Sequence, residues 1–290
     1  MARALHGSPR PPIAGIEGPW PLVMGIVNVT PDSFHDGSRR LEARAAIEQG
    51  RFMAAAGAAI LDVGGESTRP GAGAVSEREE LARIIPVIEA LAADGHVVSV
   101  DTRKAAVMAA AVGAGARMIN DVTALRHDPR SLAAAAALNV PVVLMHSRGT
   151  PSEMAAMTHY DDIVADIIDE LSARIAACLE AGLDEGQLII DPGLGFAKTG
   201  AQSALVLRNL AAFQVLNRPL LIGASRKSFI GDLTGAVRSE DRLPGSLAAA
   251  LWAAGHGAAL VRVHDVPETV QALAIFRTLC YKEGDNQEAE

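Results

Sequence analysis

Eight short runs of Val, Ile and Leu, each leading into a residue able to bind a ligand, constrain this chain more than any other feature. The runs occupy 22–27, 58–61, 97–100, 118–119, 141–145, 188–190, 220–223 and 260–263. The polar residues at their ends are Asn28, Asp62, Asp101, Asn120, His146, Asp191, Ser225 and His264. The runs are mostly continuous rather than alternating, which suits parallel strands buried on both faces. Between them, 41–56, 81–91, 129–138, 161–181, 204–213, 244–254 and 267–281 carry apolar residues at helical spacing, and Ser76 with Glu79 reads as a capping box opening the second of these segments. Strand followed by helix, eight times over, predicts an α/β chain folded as a single (β/α)8 TIM barrel, with the active site at the C-terminal ends of the strands. A doubly wound open sheet shares the alternation, but eight units in 290 residues fit the barrel better.

No Ser- or Gly-rich linker divides the chain, so one domain is expected over 21–282. Residues 1–20, with Pro9, Pro11, Pro12, Gly15 and Gly18, read as a flexible N-terminal tail, and 283–290 as a flexible acidic C-terminal tail. Ala133 to Ala137 reads as helix rather than low-complexity sequence. The net charge of −8, with no stripe of Lys or Arg, argues against nucleic acid as a partner. No run approaches the length of a membrane span, and no apolar core suits a signal peptide. Cys178 and Cys280 fall on apolar helix faces, as reduced thiols do, and a cytoplasmic setting is expected.

Two chemistries gather at the strand ends. Asp101, Asn120 and Asp191 offer two carboxylates and an amide at one barrel mouth, a set suited to a flat nitrogen heterocycle whose amino-imine edge presents parallel N–H groups. Singly, Asp101 also fits the cap of a helix starting near Arg103, and Asp191 a turn before Pro192. The second set suits anions. Arg69 follows Glu66, Ser67 and Thr68 in a Gly-rich loop, Ser225, Arg226, Lys227 and Ser228 follow the seventh strand, and Arg262 and His264 end the eighth. The loops after strands seven and eight are the usual phosphate site of this fold. Arg69 or Arg262 alone would equally fit a salt bridge. Cations concentrated at the mouth of an acidic protein point to a small anionic substrate. Gly193 to Thr199 lacks the spacing of a nucleotide P-loop, and Asn28-Val29-Thr30, formally a glycosylation acceptor, sits at a strand end without a secretory signal.

These segments, taken with Asn28 to Gly37, Gly64 to Gly71, Asp101 to Arg103, Met145-His146, Asp191 to Thr199, Gly223 to Gly231 and Arg262 to Asp265, resemble in order the signatures of the dihydropteroate synthase family of pterin-binding TIM barrels. The resemblance runs from Leu22 to Tyr281. It implies condensation of 6-hydroxymethyl-7,8-dihydropterin pyrophosphate with p-aminobenzoate, giving 7,8-dihydropteroate and pyrophosphate. Carried over, Asp101, Asn120, Asp191, Lys227, Arg262 and Met145 would hold the pterin. Asn28, Thr68, Arg69, Arg262 and His264 would meet the pyrophosphate, and Phe34, Pro70, Phe196 and Ser228 the p-aminobenzoate. Thr68, Arg69, Asp36, Lys227, Arg262 and His264 are the implied catalytic set, Asn28 the one protein ligand to Mg²⁺, and a homodimer the implied assembly, with sulfonamides as competitive inhibitors.

The sequence departs from the family at His35, Ser38, Ala197 and Gln202-Ser203, none of them an implied ligand; His35 and Ala197 flank the loops of the aminobenzoate side. Methyltetrahydrofolate-dependent methyltransferases share the Asp and Asn positions but need no pyrophosphate site, so Arg69, Lys227 and the Arg262 to His264 pair weigh against them. Asn28, Thr68 and Arg69 weigh likewise against a catalytically silent pterin-binding paralogue.

Overall fold

In the computed structural model, described for residues 11–29, 36–66, 73, 75–150 and 153–280 and for side chains outside 36–40, the chain forms eight parallel strands. They are β1 (Leu22–Asn28), β2 (Ile60–Gly64), β3 (Val98–Asp101), β4 (Met118–Asp121), β5 (Val142–Met145), β6 (Leu188–Asp191), β7 (Leu221–Ile222) and β8 (Leu260–Val263). Their order is β6-β5-β4-β3-β2-β1-β8-β7, and the Ile190 N–H donates to Pro219 O at 2.9 Å, joining β6 to the approach of β7 and closing the ring. The helices are α1 (Asp36–Ala55), α2 (Glu77–Ala93), α3 (Ala105–Gly113), α4 (Ser131–Leu138), α5 (Ile163–Glu180), α6 (Gly200–Arg208), α7 (Ser228–Thr234), α8 (Leu243–Gly255) and α9 (Val266–Cys280). The closed ring confirms the barrel over the open sheet. None of the described helices is long and apolar enough to cross a membrane.

Local chemistry sets several boundaries. Ser76 caps α2 by accepting the Glu79 N–H, and Asp162 caps α5 by accepting from Val164 and Ala165. The helix expected over 204–213 instead starts at Gly200, where Thr199 and Gln202 form a capping box, and stops at Arg208. Asn209 donates its side-chain amide to Leu205 O at 2.8 Å, and a 3₁₀ turn (Leu210–Leu216) follows. A side chain competing for a helical carbonyl is the physical reason for the break.

Two cores follow from strand alternation. Val23, Val27, Leu61, Val63, Val98, Val100, Ile119, Leu144 and Ile190 face the helices. Met24, Ile60, Met118, Val143, Ile189, Leu221 and Leu260 fill the barrel interior toward its N-terminal end. Ile13 joins this inner cluster at 4% exposure, in a turn where Ile13 and Ile16 exchange backbone hydrogen bonds, and so the loose tail expected over 1–20 does not extend to residues 13–16. The interior of the barrel is apolar at its lower end, and burying Ile13 there keeps water from it. Cys178 is buried as expected, whereas Cys280 is only partly so; both are free thiols.

Candidate active site

The inner apolar layer fixes what stands above it. Side chains alternate along a strand, so two residues beyond an inward-facing position the chain faces inward again. Two residues beyond Ile60, Met118, Val143, Ile189 and Leu260 are Asp62, Asn120, Met145, Asp191 and Arg262; Asp101 stands two beyond the buried Ser99. Beyond Leu221 comes Gly223, where an added Cβ would lie 3.9 Å from Asp191 Oδ2 and 4.0 Å from Arg262 Cβ. The β7 position therefore carries no side chain where it passes the Asp191 carboxylate and the stem of Arg262. A ring of polar side chains over an apolar floor, with one gap, can take a flat heterocycle.

The Arg262 guanidinium bridges this layer. Its Nε donates to Asp62 Oδ2 at 2.6 Å and its Nη2 to Asp101 Oδ2 at 2.7 Å, while Asn120 Nδ2 donates to the same Asp62 oxygen at 2.9 Å. Asp62 has no exposed surface, and its Oδ1 is buried without a hydrogen-bond partner. The sequence had placed Asp62 just past a strand; it lies instead within β2, which continues to Gly64. Burial pushes the Asp101 carboxyl up to about 7, against the pull of Arg262 and with the Asp62 charge adding to the rise. Burial likewise raises Asp191, although its Oδ1 accepts the Gly193 N–H at 2.7 Å.

Lys227 caps α7 at the mouth and donates to Leu194 O at 2.8 Å, with Nζ 4.1 Å from the centre of the Phe196 ring. Burial lowers it to about 8, with Asp191 opposing the shift. Ser228 is the first residue of α7. The two loops that carry the cations are locked to each other. Arg226 holds Asp265 through a two-pronged ion pair, Nε to Oδ2 at 2.9 Å and a second bond from Nη2, and Ser225 Oγ lies 3.0 Å from His264 Nδ1 and accepts the His264 N–H at 3.1 Å. Arg226 is thus a strut, leaving Lys227 and His264 for the mouth.

Asn28 is the exposed last residue of β1, at the rim. Glu66, beside the second loop, accepts from Arg103 at 3.0 Å and Lys104 at 2.8 Å, tying the root of that loop to β3. Phe34, Thr68, Arg69 and Pro70 lie outside the described residues; Asp36 opens α1, but its side chain lies outside them too. Among the expected residues, the structure brings together Asp101, Asn120, Met145, Asp191, Lys227 and Arg262, with Asn28, Phe196, Ser228 and His264 around the rim. Asp62 was missed as a member; a charged residue at an inward position of a barrel strand is the signal that could have found it.

Comparison with known proteins agrees with this geometry. The family model described as "Pterin binding enzyme" matches residues 24–264. The dihydropteroate synthase of Escherichia coli strain K12 is 47% identical over 270 residues, 92% of this chain and 95% of that protein. The structure of Xanthomonas albilineans dihydropteroate synthase with 4-aminobenzoic acid superposes with a TM-score of 0.86 at 51% identity, covering 94% of this chain and 98% of that one. The Yersinia pestis dihydropteroate synthase in complex with a sulfonamide drug does so at 0.84 and 46%, covering 89% and 94%.

Proposed function

The chain belongs to the pterin-binding enzyme family, and from that premise we infer that it is a dihydropteroate synthase, transferring the dihydropterin methylene from pyrophosphate to the amine of p-aminobenzoate. The observation that carries this is the polar ring of Asp62, Asp101, Asn120 and Asp191, in which Arg262 bonds directly to Asp62 and Asp101 and Gly223 leaves a gap beside Asp191.

The pterin enters that gap, its N–H groups facing the carboxylates and Asn120, and Lys227 donating to a ring acceptor. Its N–H groups take over part of what Arg262 supplies to Asp101, and the released guanidinium can lie over the ring face and reach the pyrophosphate. Breaking the C–O bond leaves positive charge on a methylene conjugated with the ring and negative charge on the leaving group. Preorganised charges at both ends therefore matter more than a strong base. Asn28, Arg262 and His264 face the leaving group, with Thr68 and Arg69 approaching from the second loop. The arylamine then forms the C–N bond and gives up a proton. Phe34, Pro70 and Phe196 border its ring, Ser228 takes its carboxylate, and sulfonamides compete for that position. Asp36, beside the first loop, completes the reacting centre.

No group of three or more His, Cys, Asp or Glu side chains able to hold a metal occurs among the described residues. Mg²⁺ keeps most of its oxygen ligands from water and phosphate and so needs few from the protein. The Asn28 amide oxygen at the rim would be the protein ligand for an ion carried in with the pyrophosphate, which would neutralise leaving-group charge.

The test is pyrophosphate release from purified protein with Mg²⁺, expected only when both substrates are present; pterin binding without any release would leave a silent pterin-binding protein. Arg69→Ala should lower kcat about 100-fold, by analogy with removing one transition-state donor, while altering pterin affinity little. The reading includes a cytoplasmic homodimer. Leu233 on α7, Val237 just beyond it (84% exposed) and Trp252 on α8 are among the exposed large apolar side chains, and they support a pairing face there. Light scattering should give twice the chain mass, and Val237→Asp should shift it toward the monomer.

A further inference from the structure

Behind the Asp191 end of the site runs a chain of polar side chains, buried except at its Glu170 end, with no assigned place in the reaction. Glu170 Oε2 lies 3.1 Å from His146 Nε2, and His146 Nδ1 lies 2.9 Å from Lys198 Nζ. Lys198 Nζ also donates to Gly193 O at 3.1 Å and to Phe196 O at 3.0 Å. Lys198 is 7% and His146 2% exposed. Two protonation patterns satisfy the contacts, a neutral amine beside an imidazolium or an ammonium beside a neutral imidazole, and burial, which lowers His146 to about 4 but Lys198 only to about 7, favours the second. The ammonium donates its three N–H groups to two carbonyls and Nδ1, which makes His146 neutral with its proton on Nε2, donated to the Glu170 carboxylate. The His146 bond together with Arg148 holds Glu170 at about 2, in agreement with that pattern.

What this chain secures is the loop carrying Phe196. One side of the Phe196 ring faces Lys227, while the residue also lines an open cavity of about 460 Å³ with Val122, Arg148 and Met157. The residue is only half-buried, so the backbone has a large share in placing its ring. Gly193 anchors one end at φ +68°, so close to β5 that a Cβ would meet His146 O at 2.0 Å. Tyr160 holds the other end by donating to Ala197 O at 3.0 Å. Lys227 donates to Leu194 O and Ser203 Oγ accepts the Gly195 N–H at 3.1 Å, while Lys198 reaches two carbonyls of the loop, one of them that of Phe196 itself. A lysine ammonium buried this deeply disfavours the folded state. A packing role would be better filled by an apolar residue.

We propose that Lys198, oriented by His146, is a positioning residue for the arylamine half of the site, fixing Phe196 through its carbonyl oxygen without touching either substrate. The inference rests on the reading that Phe196 borders p-aminobenzoate. The Asp191 main chain is held independently, its carbonyl accepting the His146 N–H at 2.8 Å, although the Lys198 charge also favours the ionised Asp191 carboxylate.

The experiment compares Lys198→Met, His146→Asn and His146→Gln with the parent protein. Asparagine puts an oxygen near the place of Nδ1 and can still accept from Lys198; glutamine puts its polar end near Nε2 and cannot. Lys198→Met should raise the KM for p-aminobenzoate about tenfold or more with a smaller change in kcat, and weaken 6-hydroxymethylpterin binding by clearly less, through the lost support of ionised Asp191 alone. Amides 193–199 of the ligand-free protein should exchange hydrogen about tenfold faster. His146→Gln should behave like Lys198→Met, and His146→Asn like the parent. Unchanged exchange in Lys198→Met, or equal behaviour of the two His146 variants, overturns the proposal. So does a parallel loss of pterin affinity, which marks a merely structural role. If Lys198→Met does not fold, the His146 pair decides. If the parent forms no dihydropteroate, the functional reading falls, and amide exchange still decides this one.

Discussion

Arg262→Ala is expected to lose turnover by two to three orders of magnitude and, at pH 8, about 3 kcal/mol of stability. The two losses have one cause. The guanidinium bridges Asp62, which has no exposed surface, and Asp101, and its removal leaves two carboxylates facing each other with Asn120 as the remaining donor to Asp62. The stability loss depends on pH with a definite sign. The folded-state pKa of Asp101 is already raised to about 7, above its unfolded value. Its contribution is therefore fully present below the unfolded pKa and fades as pH rises through about 7. Without Arg262 the counter-pull is gone and the folded pKa climbs further, so the variant's deficit is small near pH 5 and grows toward pH 8. Urea unfolding at the two pH values measures this; an equal deficit at both would show that the carboxylate charges are compensated elsewhere. Arg262→Lys should recover part of the stability but little turnover, because an ammonium cannot serve both carboxylates and a ligand from one plane.

The strand ends were legible because a buried parallel strand and a polar mouth differ sharply in composition, and Asn28, Asp101, Asn120 and Asp191 sit where that change occurs. Asp62 was misplaced for the same reason. A rule that ends a strand at its first charge must fail where the strand continues with an inward carboxylate, as β2 does to Gly64. The pairing of Arg262 with Asp62 and Asp101 spans 200 and 161 positions of sequence and exists only because β8 closes next to β1, so no local pattern could announce it. His146 stood in the sequence only as the polar end of the fifth run, and its partners Glu170 and Lys198 come from a helix and a loop that only the fold brings together. Ile13 was hidden by the Pro and Gly residues around it, since a turn under a barrel and a loose tail share that composition.

Asp191→Asn is expected to weaken pterin binding by about 100-fold or more, the scale of losing two charge-assisted hydrogen bonds, while leaving the protein at least as stable at pH 8. A carboxylate accepts two parallel N–H groups; a carboxamide accepts one and presents its own N–H groups to the other, turning attraction into donor-donor repulsion. The fold should tolerate the change because an asparagine oxygen can still accept the Gly193 N–H, which Asp191 Oδ1 now does at 2.7 Å. Stability moves the other way because burial raises the folded-state pKa of Asp191, so its ionised form is disfavoured in the fold once pH exceeds that value. Removing the charge at pH 8 relieves that penalty. The substitution also withdraws the carboxylate that supports the charges of Lys227, held at about 8, and Lys198, held at about 7. Both should titrate lower still, and the alkaline limit of residual binding should move down in pH. Calorimetric titration with 6-hydroxymethylpterin and thermal unfolding, each followed from pH 6 to 9, separate the two effects. Affinity within about threefold of the parent protein would remove Asp191 from the pterin site, and a melting temperature that falls in step with affinity would make its role structural.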